Sequence, residues 1–272
     1  MIHKNPYMPI QAHLDDVIEE TPTIKTMVMT PAQPIEFRAG QFMQLTYPGT
    51  GEAPFTPSSN PKETKRQEIT ILKTGKVTDL LHDAQPGETL GLRGPFGKGY
   101  PLDKFYGKEI LLVGGGVGLA PLRALIYALL NEADKFAKII IKYGARDPDE
   151  LLYTEEWKKW KKHPNVEFSE TVDVAKNGWK GHVGVVTTIM DEVNLDTKKA
   201  YAVSCGPPIM LKFVTQKCLE LGFKKDHIYL SMNRKMSCGV GICGRCNIGP
   251  YYLCKDGPDM CYDKIKDYEH VF

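Results

Sequence analysis

Residues 109–130, EILLVGGGVGLAPLRALIYALL, carry three signals in succession that decide how the chain is organised. Glu109–Val113 is a short run rich in Ile, Leu and Val, the composition of a strand buried on both faces. Gly114, Gly115, Gly116, Val117 and Gly118 then form a loop, and Leu119–Leu130 places Leu122, Leu125, Ile126 and Leu129 at helical spacing. Strand, glycine loop and helix in that order bring backbone N–H groups and a helix N-terminus to one point, where a pyrophosphate fits. Pro121 sits in the first helical turn, where its missing N–H is no loss. Because position 119 is Leu, the run departs from G-x-G-x-x-G, and a turn serving packing alone stays open on this motif.

The alternation continues towards the C-terminus. Ala137–Tyr143 predicts the next strand and Leu151–Lys162 a charged amphipathic helix with Trp157 and Trp160. Val166–Phe168, Ala200–Ser204 and His227–Leu230 are further strands; Pro208–Leu221 is helical between the last two, with Gly222 at the C-cap. This is the pattern of a doubly wound parallel sheet, α/β in class. Ligands bind such sheets beyond the carboxyl ends of the strands, which singles out Ser204–Met210, SCGPPIM. Within it Cys205, followed by Gly206 and Pro207, either borders a nicotinamide ring or is an ordinary buried thiol.

Towards the N-terminus the pattern is different. Gln41, Met43, Leu45 and Tyr47 alternate with Phe42, Gln44 and Thr46; Glu68–Lys73 and Thr89–Arg93 are further short runs bounded by Gly and Pro. Lys62–Gln67 is a polar loop. Short strands without long helices predict an antiparallel β-barrel or sandwich. Two loops stand out here. In Gly51–Ser59, Phe55 could stack on a flavin ring and the Thr56 hydroxyl could bond it. Thr74–Thr78, with Gly75 and Val77, leads into a short helix at Thr78–Leu81 whose N-terminus could hold phosphate. Singly, each passes as an ordinary turn.

Beyond about Ser231 regular pattern stops, and the aliphatic content is too low to bury a core unaided, so a metal centre would supply the fold. Cys238, Cys243, Cys246 and Cys254 have the spacing C-x4-C-x2-C-x7-C. Plant-type [2Fe–2S] sites use C-x4-C-x2-C with a more distant fourth ligand, whereas structural zinc pairs short C-x2–4-C elements across a longer spacer. The bunched ligands favour iron–sulfur over zinc. Glycines at 239, 241 and 244 let backbone N–H groups approach the sulfurs. Cys218 and Cys261 are read as non-ligands.

The whole chain has 272 residues, 42% hydrophobic and 25% charged, which excludes wholesale disorder. With 35 basic and 33 acidic side chains it offers no nucleic-acid footprint. Met1–Ile10 lacks the apolar core of a signal peptide. Ile110–Leu130 is apolar enough to suggest a membrane span, but three successive glycines, Pro121 and Arg123 argue against one. The expected location is cytoplasmic, where clustered cysteines are more often metal ligands than disulfides.

A barrel, GGGVGLAP at 114–121, SCGPP at 204–208 and a four-cysteine tail, in that order, resemble the ferredoxin–NADP reductase superfamily. Within it the chain is similar to electron-transfer subunits of dihydroorotate dehydrogenase, soluble NiFe hydrogenase and anaerobic sulfite reductase. Asn5-Pro6-Tyr7, Gly51–Phe55 and CNIGPYYLCKDGP at 246–258 match the hydrogenase and sulfite-reductase branch better. The resemblance implies a flavin domain at 1–100, an NAD(P) domain at 101–229 and a cluster domain at 230–272, binding FAD, NAD(P) and [2Fe–2S]. The flavin motif R-x-[YF]-[ST] falls on Ala53, Pro54, Phe55 and Thr56; its phosphate-pairing Arg is Ala53 here, which leaves that task to amides around Val77 and Thr78. Ile71, Leu72 and Lys73 would line the adenine side. Gly114–Gly118 would meet the nicotinamide nucleotide, with Cys205, Gly206 and Pro207 near its ring and Cys205 in a ring-positioning role. Arg146 suits a ribose 2′-phosphate and Asp147 a 2′-hydroxyl, so NAD and NADP both remain open. The implied activity is hydride transfer from NAD(P)H to flavin and single-electron transfer through the cluster to or from a partner subunit; free-standing flavin, quinone or ferredoxin reductases use the same core.

Overall fold

The computed structural model describes residues 5–269 and 271–272; Met1–Lys4, part of the opening read for a leader, lie outside the described residues. The N-terminal sheet comprises β1 (Ile10–Thr21), β2 (Ile24–Pro31), β3 (Phe42–Tyr47), β4 (Gly51–Phe55), β5 (Gln67–Leu72) and β6 (Thr89–Phe96). They run in the order β4-β3-β6-β1-β2-β5, antiparallel throughout. In β1, Ala12 and Leu14 point inward while His13 and Asp15 face water, and β2 buries Met27 and Met29 against them. A helix, α1 (Lys76–Asp83), follows β5.

Two segments differ from the sequence expectation. The stretch 51–55, expected as a loop, is strand β4. Pro54 misled the reading, but β4 is an edge strand, where a missing N–H breaks no ladder. Strands β1 and β2 lie outside the sequence expectation, because β1 alternates with acidic residues and shows no clean apolar run.

After a short helix, α2 (Leu102–Phe105), the second sheet is built from β7 (Glu109–Gly115), β8 (Lys138–Ala145), β9 (Val166–Val172), β10 (His182–Val183), β11 (Tyr201–Cys205) and β12 (Ile228–Ser231), all parallel. Helices α3 (Leu119–Leu130), α4 (Thr154–Trp160) and α5 (Pro208–Glu220) cover it. The cysteine-rich tail adds β13 (Asn247–Ile248), β14 (Tyr251–Tyr252) and β15 (Asp259–Cys261). β15 joins the second sheet antiparallel to β12, giving the order β10-β9-β8-β7-β11-β12-β15. A three-residue strand is too short to show periodicity, which is why the tail looked patternless.

The parallel strands are buried on both faces. Ile110, Leu112, Ile139 and Ile141 join the core of the first sheet. Leu111, Val113, Ile140 and Ala202 face the other way, with Leu211 and Val214 of α5 and with Ile248, Leu253 and Met260 of the tail. The tail therefore completes its core on the nucleotide-side sheet.

The two sheets are locked together by Arg123 of α3. Its guanidinium pairs with Glu68 of β5 and Glu156 of α4, donates to the Ser58 carbonyl and lies over the Tyr153 ring at 4.5 Å. Tyr153 in turn shares a 2.6 Å hydrogen bond with Thr70 of β5. Removing one member of a buried ionic set leaves the others unpaired in a poorly solvated place. Arg123→Leu is expected to cost about 3 kcal/mol, measured as a lower urea midpoint; an unchanged midpoint would show the pair to be solvated and dispensable.

Candidate functional site

The glycine loop and the loop after β11 pack directly on each other at the carboxyl end of the parallel sheet. A Cβ on Gly118 would lie 2.3 Å from the Cys205 carbonyl oxygen, and one on Gly115 would lie 2.1 Å from Met210 Sδ. Gly118 is demanded by packing against backbone, whereas a Cβ at Gly115 would displace the flexible Met210 side chain. Gly116 is demanded by conformation: its φ is +54° and nothing within 4 Å would meet a Cβ there. That open side adjoins the start of α3, where N–H groups without intrahelical partners can receive phosphate. Gly206 contacts Met210 across the same junction, and Pro207 is exposed.

At the end of β8, Arg146 is exposed, whereas Asp147 is buried and committed. Its carboxylate accepts from Lys176 Nζ at 2.7 Å and from the Asp149 N–H at 3.1 Å. The Lys176 bond, against a smaller burial effect, holds it below the usual carboxylate range.

On the first sheet, Ala53, Pro54 and Phe55 of edge strand β4, and Thr56 just past its end, are all half-buried. Gly51 brings this strand to 3.8 Å of Val77 at the start of α1, measured from the Cβ it lacks. Strand and helix N-terminus are thus neighbours. The Thr78 hydroxyl is used within the turn, accepting from the Thr74 and Gly75 N–H groups at 2.8 and 2.9 Å. The Ile71 side chain lies in the core and its carbonyl faces His82 Nε2 at 2.9 Å. Leu72 is half-buried and Lys73 exposed beside it.

The four cysteines come together in two pairs. Cys238 faces Cys243, and Cys254 faces Cys246. Gly239, Gly241 and Gly244 have φ of +78°, +77° and +74°, turns that aim backbone N–H groups inward. Cys238 Sγ accepts from Val240, Ile242 and Cys243 at 3.4, 3.3 and 3.5 Å, and Cys254 Sγ from Gly241 at 3.2 Å. Burial opposes ionisation of Cys238, but these amides outweigh it and bring the thiol down to about 6. Burial, then the neighbouring Cys246, pushes Cys254 up to about 12. Four thiols gathered in one loop region, with backbone N–H donors aimed at the sulfurs of Cys238 and Cys254, fit the donor set that would hold a [2Fe–2S] cluster. Cys218 is buried in α5, and Cys261 lies away from the quartet, its sulfur 3.5 Å from the Asp226 carbonyl oxygen.

Arg93 was not read as a site residue, yet it ties this loop to the flavin-side strand. It is 3% exposed. Nε donates to Glu52 at 3.0 Å, Nη1 to the Pro6 and Cys238 carbonyls at 2.8 and 2.9 Å, and Nη2 to the Ser237 carbonyl at 3.2 Å. Phe96 stacks under it at 5.1 Å and also packs against Gly239. Its partners are 41 to 145 residues away in sequence, so no local signal could have found it.

Cys205 lies in a sealed polar cluster. Ser231 and Asp259 are register partners on β12 and β15, and Cys205 stands one residue past the partner of Leu230 on β11. Tyr100, in the segment between β6 and α2, closes the group. Burial pushes the Cys205 thiol up to about 12, which suits a neutral positioning group and excludes a ready nucleophile.

Family profiles match three consecutive segments: an oxidoreductase FAD-binding domain over 12–100, an oxidoreductase NAD-binding domain over 112–216, and the iron–sulfur cluster binding domain of dihydroorotate dehydrogenase B over 233–266. The chain is 36% identical to sulfhydrogenase 1 subunit gamma of Pyrococcus furiosus, over 84% of this chain and 80% of that one. It belongs to this family of flavin iron–sulfur electron-transfer subunits. A probable dihydroorotate dehydrogenase B (NAD(+)) electron transfer subunit of Methanocaldococcus jannaschii is another member, 32% identical over 95% of this chain and 91% of its own. An NADH-dependent reduced ferredoxin–NADP oxidoreductase, solved in connection with flavin-based electron bifurcation, superposes with a TM-score of 0.76 at 28% identity, covering 94% of this chain and 91% of its own. Like these relatives, the chain is an oxidoreductase component with FAD, NAD and iron–sulfur domains. Among the described residues no helix is long and apolar enough to cross a membrane.

Asp259 gives the site a pH signature. Burial lifts its carboxyl to about 7, outweighing the Tyr100 and Ser231 hydroxyls beside it, which pull the other way. The titratable groups facing it are Tyr100 and Cys205. An unfolded aspartate titrates near about 3.9, so between there and about 7 the folded chain keeps a proton the unfolded one has lost. Stability therefore falls as pH rises through that window. Asp259→Asn is expected to flatten this slope, gaining on the order of 2 kcal/mol over the wild type at pH 8; unfolding midpoints at pH 5 and pH 8 measure it, and an unaltered slope would place the charge elsewhere.

Proposed function

We propose that this chain is a cytoplasmic electron-transfer subunit linking NADPH, FAD and a [2Fe–2S] cluster to a hydrogenase-type metalloenzyme partner. The observation that carries the reading is the paired set of sulfurs at Cys238/Cys243 and Cys246/Cys254, fastened through Arg93 to strand β4. Bound flavin would supply the exchange between hydride and single electrons, and the cluster the one-electron route.

The protein's share is placement. Gly116 and the start of α3 receive the pyrophosphate of the dinucleotide, and Arg146 takes the 2′-phosphate, because Asp147 is already neutralised by Lys176. Cys205, Gly206 and Pro207 border the nicotinamide. Phe55 packs on the flavin ring, Thr56 bonds its edge, and the first-turn amides of α1 hold its phosphates in place of the arginine absent at Ala53. A dihydroorotate dehydrogenase-type partner is the second reading, favoured by the profile matched over 233–266 and by the Methanocaldococcus jannaschii relative.

Anaerobically purified protein is expected to show flavin bands with iron–sulfur shoulders and two irons with two labile sulfides per chain; colourless or zinc-bearing protein would refute the reading. Cys243→Ser should retain NADPH oxidation with dichlorophenolindophenol and lose reduction of the co-purified partner. Joint loss of both activities would show that the cluster is not the exit. Arg146→Ala should raise the KM for NADPH about 10-fold with little change for NADH, read from initial rates; equal effects on both would remove Arg146 from the 2′ position.

A further inference from the structure

We propose that the tip of the cysteine loop is a docking face for a redox protein with an acidic surface, which meets Ile242 with an apolar contact and the surrounding cations with carboxylates. This rests on the reading of the cysteine quartet as the cluster site.

Charge is nearly balanced over the whole chain, 35 basic against 33 acidic, but not here. Residues 232–255 contain Arg234, Lys235, Arg245 and Lys255 and no Asp or Glu at all. The first acid that follows, Asp256, is already engaged: it accepts from Lys98 Nζ at 3.1 Å and from the Tyr252 N–H at 3.0 Å. Lys235, Arg245 and Lys255 are exposed, and the Lys255 side chain lies within 3.4 Å of the Cβ that Gly241 lacks. Lys235, Arg245 and Lys255 therefore frame the loop, and Asp256, which Lys255 also faces, shares its charge with Lys98.

At the centre stands Ile242, 74% exposed, more than any other large apolar side chain among the described residues. Its position follows from the loop's own geometry. The Ile242 N–H is turned inward to Cys238 Sγ, which throws the side chain out to solvent beside the exposed Cys243. A lone exposed isoleucine means little. An apolar tip on the one exposed cysteine of the quartet, inside a basic frame, has the composition of a contact completed by another protein. Exposed cations project their field outward over about a Debye length, and so steer an acidic partner onto the edge from which the electron leaves.

The test uses the holoprotein with NADPH and three acceptors: an acidic [2Fe–2S] ferredoxin, basic cytochrome c and the small dye dichlorophenolindophenol. Ferredoxin reduction is expected to fall about 10-fold between roughly 20 and 200 mM NaCl, while the dye rate stays constant and cytochrome c gains no such dependence. Arg245→Glu with Lys255→Glu should raise the ferredoxin KM about 10-fold, favour cytochrome c, and leave the cluster's visible spectrum and potential unchanged. Ile242→Ser should raise the ferredoxin KM even at high salt, where only the apolar contact remains. A salt-independent ferredoxin rate, or a charge-reversed variant that moves the cluster potential but not KM, would overturn the proposal, since the cations would then only balance the cluster's charge. Protein that oxidises NADPH with the dye but lacks cluster absorption would fail earlier, overturning the cysteine reading on which the docking face stands.

Discussion

One buried guanidinium holds the functional parts in a common frame. Arg93 spends its donors on Glu52 of β4 and on the carbonyls of Ser237 and Cys238 at the mouth of the cysteine loop. A third branch reaches Pro6 in the N-terminal segment. Single-electron transfer depends steeply on separation, so a loop free to drift would make the rate unpredictable. The planar fork of arginine fixes orientation as well as distance, which a lysine could not do. Phe96 reinforces the clamp by packing under Arg93 on one side and against Gly239 on the other.

The tail follows the same logic at larger scale. It has too few aliphatic residues for a core of its own, so Ile248, Leu253 and Met260 share one with the parallel sheet, and β15 extends that sheet by a strand. The cysteine loop therefore hangs from both domains: Arg93 joins it to the first sheet, and β15 anchors the chain beyond it to the second. On the far side, Arg123 with Glu68 and Glu156 closes the same two sheets. Two buried guanidinium groups thus tie the sheets and the tail together.

Much of this was legible in order but not in position. The strand, glycine loop and helix at 109–130 appear in the structure as β7, a tight turn and α3, because a long apolar run and successive glycines leave little choice of conformation. The cysteine spacing pointed to iron–sulfur chemistry, and the loop glycines do adopt the left-handed turns that aim amides at sulfur. Strand β4 was hidden by Pro54, whose tolerance depends on its being at a sheet edge, a property of pairing and not of composition. Strand β15 was hidden by its brevity. Arg93, Asp259 and Tyr100 carried no local mark, since each takes its meaning from partners distant in the chain.

By itself the sequence determined the succession of an antiparallel unit, a parallel nucleotide unit and a thiolate tail, because periodicity, turn residues and ligand spacing act over a few neighbouring residues. Only the tertiary structure decided which sulfurs face each other, which side chains are withdrawn from solvent beside Cys205, and that a strand from the tail completes the second sheet. Those outcomes depend on burial and on contacts between distant segments, which short-range pattern does not encode.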